Sequence, residues 1–285
     1  MSDPGAGVPQ DEREQWAQLA RGWERHADFV ARQDTKVLDW IVSHLDPKPG
    51  ETFLELGAGP GDTGFAVAEK LGTDGKLIST DVSPDMLGVT QRRAQQKGAT
   101  NVEFKVTDAQ AIDFPDASVD GALYRYGPML LDDPGAHARE VRRVLKDGGR
   151  YATAVIGPPD VNLWMTVPMM SFIQSGFPPP VANLDPTAPG SPFSLADPDR
   201  LNALFLGAGF KDVVVEPIEQ PFTFESFDEV FTMASELAGP LAIAIGTLSD
   251  DDKERYKETL RGNVEGFKSG DGYALPAKSL VALAR

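Results

Sequence analysis

Residues 55–64 read ELGAGPGDTG and are entered by Thr52, Phe53 and Leu54. A short apolar run, then glycines, then a helix-like pattern make a strand-to-helix turn. Its glycines let backbone N–H groups approach a nucleotide-like ligand. Two readings compete. Gly59, Gly61 and Gly64 spell G-x-G-x-x-G, the dinucleotide pattern. Glu55, Gly57 and Gly59 spell another, an acidic strand end followed by a glycine turn.

The flanking pattern sets the fold class. Trp16, Leu19 and Trp23, then Val30, Val37, Ile41 and Leu45, recur at helical spacing until residues 47–50 break the run. Strands are predicted over 52–56, 76–80, 102–106, 119–124 and 150–156. Helices are predicted over 62–71, from the N-cap Ser83, and over 134–145. Such alternation implies an α/β, Rossmann-like fold: a seven-stranded, mostly parallel sheet with helices on both faces, an N-terminal helical segment and a helical lid insertion. Ligands bind such sheets at the carboxyl ends of the strands. The expected organisation is a disordered tail over 1–14 and helices with the cofactor-binding core over 15–156. An insertion contributing to substrate cover follows over 157–196. Residues 197–285 complete the sheet, with a mostly helical lid at about 222–268.

Charge separates the two glycine registers. A dinucleotide rests its pyrophosphate on the helix N-terminus. With Gly59 first, Asp62 lies beside two phosphate charges; with Gly57 first, the third position is Asp62 instead of glycine. A cationic ligand fits better. S-Adenosylmethionine brings an ammonium and a sulfonium and no phosphate, and Glu55 is placed to hold that end. Asp81, ending the second strand, is placed for ribose hydroxyls in either cofactor class. Asp108 and Ala109, ending the third, are placed for the adenine amine; an N-cap is the bland reading of Asp108.

Composition narrows the function classes. Net charge is 27 minus 43, or −16, and no obvious basic block is present to meet nucleic-acid phosphates. No window of eighteen apolar residues exists, so no membrane span is expected. The first residues lack the basic start and apolar core of a signal peptide. With no cysteine, disulfides, thiolate metal sites and cysteine nucleophiles are excluded. The expectation is a cytoplasmic enzyme acting on a small molecule, with no metal. Oligomeric state is not legible.

ELGAGPG, STDVSP, VTDAQAIDFPDASVD and REVRRVLKDGGR together resemble the class I S-adenosylmethionine-dependent methyltransferases, and among them the small-molecule branch related to quinone-biosynthesis enzymes. The resemblance is strong over about 35–156. It departs at Asp147, where the family usually has proline. It implies that Gly57, Ala58, Gly59 and Gly61 shape the cofactor loop, that Asp81 takes the ribose, and that Val82 and Met86 flank adenine. Tyr124, Arg125 and Tyr126 would lie by the methionine part, and Trp23 would close over the cofactor. Met86 and Trp23 have equally good readings as plain core.

Candidate acid–base groups are His26, His137 and Tyr126. His26 follows Trp23, His137 lies on a helix expected to cover the sheet, and Tyr126 could hydrogen-bond an acceptor or pack. YRYGP after strand four lacks both the D/N-P-P-Y/F/W pattern of amino-methylating nucleic-acid enzymes and the acidic cluster of metal-dependent catechol methylators. Cytosine-C5 and many arsenic methylators need a cysteine. Trp164, Met165, Met169, Met170, Phe172, Phe222, Phe224, Phe227 and Phe231 are core or the lining of an apolar acceptor pocket. A methyltransferase acting on O, N or C of a small apolar or aromatic metabolite is the leading expectation. A non-methylating cyclisation or rearrangement on the same cofactor, a non-catalytic binding protein and a nicotinamide-dependent oxidoreductase are the alternatives.

Overall fold

Three helices precede the first strand in the computed structural model, which describes residues 10–181 and 184–285. They are α1 (Gln10–Arg25), α2 (Ala27–Gln33) and α3 (Thr35–Leu45). Because α1 starts at Gln10, residues 10–14 of the expected tail are helical; the rest of that tail lies outside the described residues. Then come β1 (Thr52–Leu56), α4 (Asp62–Leu71), β2 (Lys76–Asp81), α5 (Pro84–Lys97), β3 (Val102–Val106) and β4 (Val119–Arg125). These are followed by α6 (Pro134–Val144), β5 (Leu145–Ile156), α7 (Leu163–Gln174), α8 (Pro198–Gly207) and β6 (Val213–Glu219). Ser83 caps α5 by accepting from the Met86 N–H, and Pro84 fills the first helical position, where no N–H is needed. Asp197 and Pro198 start α8 in the same way.

The last part holds β7 (Phe222–Phe224), α9 (Phe227–Thr232), α10 (Pro240–Gly246), α11 (Asp250–Val264), β8 (Lys268–Ser269), β9 (Gly272–Leu275) and β10 (Lys278–Ala284). The main sheet runs β3-β2-β1-β4-β5-β10-β6, with only β10 antiparallel to its neighbours. One face carries Leu54, Leu56, Ala122 and Tyr151 against α6 and α8. The other carries Phe53, Leu77 and Leu123 against α3 and α4.

The segment 222–268 is mostly helical, as expected, through α9, α10 and α11. β7 and β8, at its two ends, both pair with β9 just beyond it to make a second sheet, β7-β9-β8. Phe172, Phe224, Phe227, Tyr256 and Leu275 are buried in a core of its own, shared with α7. Among the described residues no single helix is long and apolar enough to cross a membrane.

Candidate cofactor site

The strand order reverses between β1 and β4, so the crevice at their carboxyl ends is the place for a ligand. Four exits meet there. Glu55, on β1, is 3% exposed. Its carboxylate accepts from Ser79 Oγ at 2.6 Å and from the Gly64 N–H of α4. Burial pushes its pKa up to about 8, against the opposing pull of Ser79, Gly64 and the Arg125 charge. A Cβ at Gly64 would lie 2.1 Å from Glu55 Oε2. Gly64 is therefore not the third glycine of a dinucleotide fingerprint but the space that admits Glu55.

Gly57 has φ +54, and a Cβ there would meet the Tyr124 ring at 2.3 Å. Both facts require glycine. The loop is held from behind by α5. Thr90 Oγ1 donates to Gly59 O at 2.6 Å and Arg93 Nε donates to Pro60 O at 2.9 Å. Arg93 also pairs with Asp62 at 2.7 Å, the two side chains being 10% and 11% exposed. That carboxylate sits in the first turn of α4, where a pyrophosphate would rest. The helix N-terminus is thus already supplied with negative charge by Asp62, which a pyrophosphate in the dinucleotide register would have to meet.

Asp81, at the β2 exit, accepts from the Gly59 N–H at 3.2 Å and from the Ser83 N–H at 3.0 Å. Burial raises its pKa to about 6, while the N–H groups of Ser83, Gly59 and Val82 pull it down. At the β3 exit Asp108 accepts from the Gln110 N–H at 2.8 Å, a local turn. Met86 is buried in a small cluster with Val89 and Ala20, against which Trp16 and Trp23 pack. The plain-core reading describes what Met86 and Trp23 touch.

Each acid–base candidate is already engaged within the fold. His137 is fully buried. Ala109 O only accepts, so Nδ1 carries the proton donated to it at 3.0 Å. Nε2 then accepts from the Tyr151 hydroxyl at 2.9 Å. Burial lowers the His137 pKa to about 4, so the ring is neutral and both nitrogens are spent on structure. Tyr126 donates to Asp34 Oδ1 at 2.9 Å, and its oxygen also meets Ser279 Oγ at 2.7 Å. Burial and the Asp34 charge hold its pKa well above the usual tyrosine value, so it is no base near neutral pH. His26 Nε2 meets Glu236 Oε2 at 3.0 Å, a carboxylate it shares with Arg25. That places His26 where α1 meets the insertion, not at a strand exit. Phe222 stacks on Trp164 with centroids 4.0 Å apart, so several expected pocket aromatics are packing groups.

Sequence reasoning missed Asp34, Ser79, Thr90 and Arg93. Ser79 had a signal, since a polar residue inside a buried strand must face another polar group. Asp34 had none, standing twenty-one residues before Glu55 between two helices.

The crevice fits an adenosyl-amino-acid cofactor. Carboxylates stand at the β1 and β2 exits, and the loop between them bars added side chains at Gly57. Thr63 Oγ1 and Thr107 Oγ1 are buried without a hydrogen-bond partner among the described residues, one in the first turn of α4 and one just past β3. Residues 47–172 match the family described as "Methyltransferase domain". This stretch is a class I S-adenosylmethionine-dependent methyltransferase domain. S-Adenosylmethionine is the cofactor of such a domain. An arsenite methyltransferase of Halobacterium salinarum is 29% identical to the chain over 179 residues, 62% of the chain and 42% of that protein. The ubiquinone/menaquinone biosynthesis C-methyltransferase UbiE of Brucella anthropi is 35% identical over 116 residues, 40% of the chain and 44% of that protein. The methyltransferase match thus spans under half the length of either relative. The solved phosphoethanolamine N-methyltransferase 2 of Haemonchus contortus shares the fold, with TM-score 0.60 and 16% identity over 95% of this chain and 60% of that one.

Proposed function

We propose that the protein transfers the methyl group of S-adenosylmethionine to O, N or C of a small, apolar or aromatic metabolite. One observation carries the reading: carboxylates stand at the exits of both β1 and β2 around the glycine loop, while Asp62 and Arg93 occupy the phosphate position. The bound cofactor supplies a sulfonium-activated methyl group. The chain supplies placement. In this reading Glu55 favours the ammonium end through the Gly57–Gly59 loop. Asp81 accepts from the ribose hydroxyls, Asp108 and Ala109 face the adenine edge, and Val82 lies beside it. Arg125 stands by the methionine end, and Tyr124, whose ring closes over Gly57, shapes the same end.

With His137 and Tyr126 spent on structure, catalysis rests on alignment and exclusion of water. Such positioning is worth about 7–11 kcal/mol in favourable cases. The Met and Phe side chains of the insertions that are not fully packed supply an apolar cover for the acceptor. Arsenite, the substrate named for one relative, is not carried over, because soft metalloid chemistry calls for thiolates and the chain has no cysteine. The protein is placed in the cytoplasm on the same reading. Calorimetric titration with S-adenosylhomocysteine, beside NADH, is the test. Saturable binding of the former alone supports the reading and justifies screening acceptors; heat from NADH alone would overturn it.

A further inference from the structure

A buried polar cluster at the junction of α2 and α3 is not explained by cofactor recognition. Asp34 is 6% exposed and Gln33 is 2% exposed. The Asp34 carboxylate bridges two successive residues at the β4 exit, taking Arg125 Nη1 on Oδ2 at 2.9 Å and the Tyr126 hydroxyl on Oδ1 at 2.9 Å. Tyr126 is held with φ +58, a left-handed conformation that costs a non-glycine residue energy. Its N–H donates to Ala154 O at 2.8 Å. A strained residue at a strand exit is thus held by a buried carboxylate from another element, together with the Ala154 carbonyl and Ser279 Oγ.

The neighbouring residue points the other way. The Gln33 amide donates to Thr223 O at 2.9 Å and accepts from the Thr223 N–H at 2.8 Å. It thereby mimics a rung of β-sheet on β7, the root of the 222–268 insertion. Gln220, just before β7, adds to the grip by accepting from the Lys36 N–H at 2.9 Å and donating to Thr35 Oγ1 at 3.0 Å. Two adjacent buried side chains thus join the β4 exit to the insertion's root.

We propose that Asp34 is a positioning residue and that Gln33–Asp34 forms a latch coupling cofactor occupancy at the β4 exit to the order of the insertion. The inference rests on the reading of the crevice as the cofactor site. Coupling follows because a ligand that fixes Arg125 and Tyr126 also fixes Asp34, and through one peptide unit Gln33 and Thr223. The latch costs the molecule two buried polar side chains, a burden an apolar junction would avoid.

Hydrogen exchange read by mass spectrometry tests it, on the full chain with and without saturating S-adenosylhomocysteine. In the wild type, ligand should slow exchange of peptides covering 222–224 and 272–275 by about fivefold or more. Asp34→Asn keeps an acceptor for Tyr126 and removes the charge that holds Arg125. It should still bind, with Kd raised by about three- to tenfold, and lose that protection. Gln33→Ala should bind with wild-type Kd and also lose it, so it decides the matter if Asp34→Asn does not fold. Equal protection in both variants, or binding to the wild type with no effect on these peptides, overturns the latch and leaves the function reading intact. No binding of S-adenosylhomocysteine to the wild type overturns both.

Discussion

At the scale of single residues, burial decides what each titratable group does. Asp81 and His137 are both sealed, yet they differ in what they face. Asp81 uses part of its acceptor capacity on the Gly59 and Ser83 N–H groups and stands at the β2 exit, so acceptor positions remain for a ribose diol. Asp81→Ala should weaken S-adenosylhomocysteine binding by about tenfold or more, the worth of charge-assisted hydrogen bonds. Titration calorimetry reads it, and an unchanged Kd in a folded variant would remove the assignment. His137 spends its ring nitrogens on Ala109 O and the Tyr151 hydroxyl, with its ring edge-to-face against Tyr124. His137→Phe removes both hydrogen bonds and should cost about 1–3 kcal/mol, measured as a lower urea midpoint. The sign of its pH effect is fixed by its depressed pKa of about 4. The unfolded chain takes the proton near 6.5 and the native state does not. The histidine's contribution is therefore present above pH 6.5 and lost as pH falls toward 4. The phenylalanine variant should lack this loss; a stability difference between the two proteins that stays flat from pH 6.5 to 4.5 would contradict the assignment.

At the scale of elements, the unit β1–α4–β2–α5 was legible because each of its signals is local. Apolar runs, Gly72, Ser83 and Pro84 fix its ends within a few residues, and the strand exits carry their carboxylates in sequence register with the glycines. The second sheet was not legible: β7 has three residues, and its partner β9 lies about fifty residues later. Neither has a periodicity to read, and only the tertiary pairing makes them strands. The latch was invisible for the same reason, since nothing local links Asp34 to Arg125. Local and tertiary rules also collide at Gly64. Alanine is the better helix former by about 1 kcal/mol, so propensity alone favours Gly64→Ala. The added methyl would lie 2.1 Å from the Glu55 carboxylate, which has no room to yield between Ser79 and α4. Gly64→Ala should therefore lower the melting temperature and weaken cofactor binding together. A variant that melts higher and binds normally would show that Glu55 is free to move.

At the scale of the whole molecule, two buried carboxylates make the ligand-free protein intrinsically sensitive to pH. Glu55 titrates at about 8 in the fold against 4.5 outside it, and Asp81 at about 6 against 3.8. Between these values the native state holds more protons than the unfolded chain. Stability contributed by the two groups is thus greatest at low pH and is lost as pH rises, through 3.8 to 6 for Asp81 and 4.5 to 8 for Glu55. His137 opposes them below 6.5, so the Glu55 contribution is seen most cleanly between pH 6.5 and 8. A cationic ligand reverses its sign. The ammonium of S-adenosylhomocysteine favours ionised Glu55, so binding releases a proton and affinity rises with pH until about 8. Ligand at about a hundred times its Kd stabilises the fold by about 2.7 kcal/mol at any one pH. At fixed ligand concentration the gain should grow from pH 6.5 to 8, while the unliganded melting temperature falls. Glu55→Gln separates the causes. It should melt higher than the wild type at pH 8, bind less tightly there, and show nearly flat affinity over this range. Thermal scans at three pH values, with and without ligand, are the measurement. An affinity that falls with pH in the wild type would mean that the group beside Glu55 is not a cation, and would return the glycine loop to its other reading.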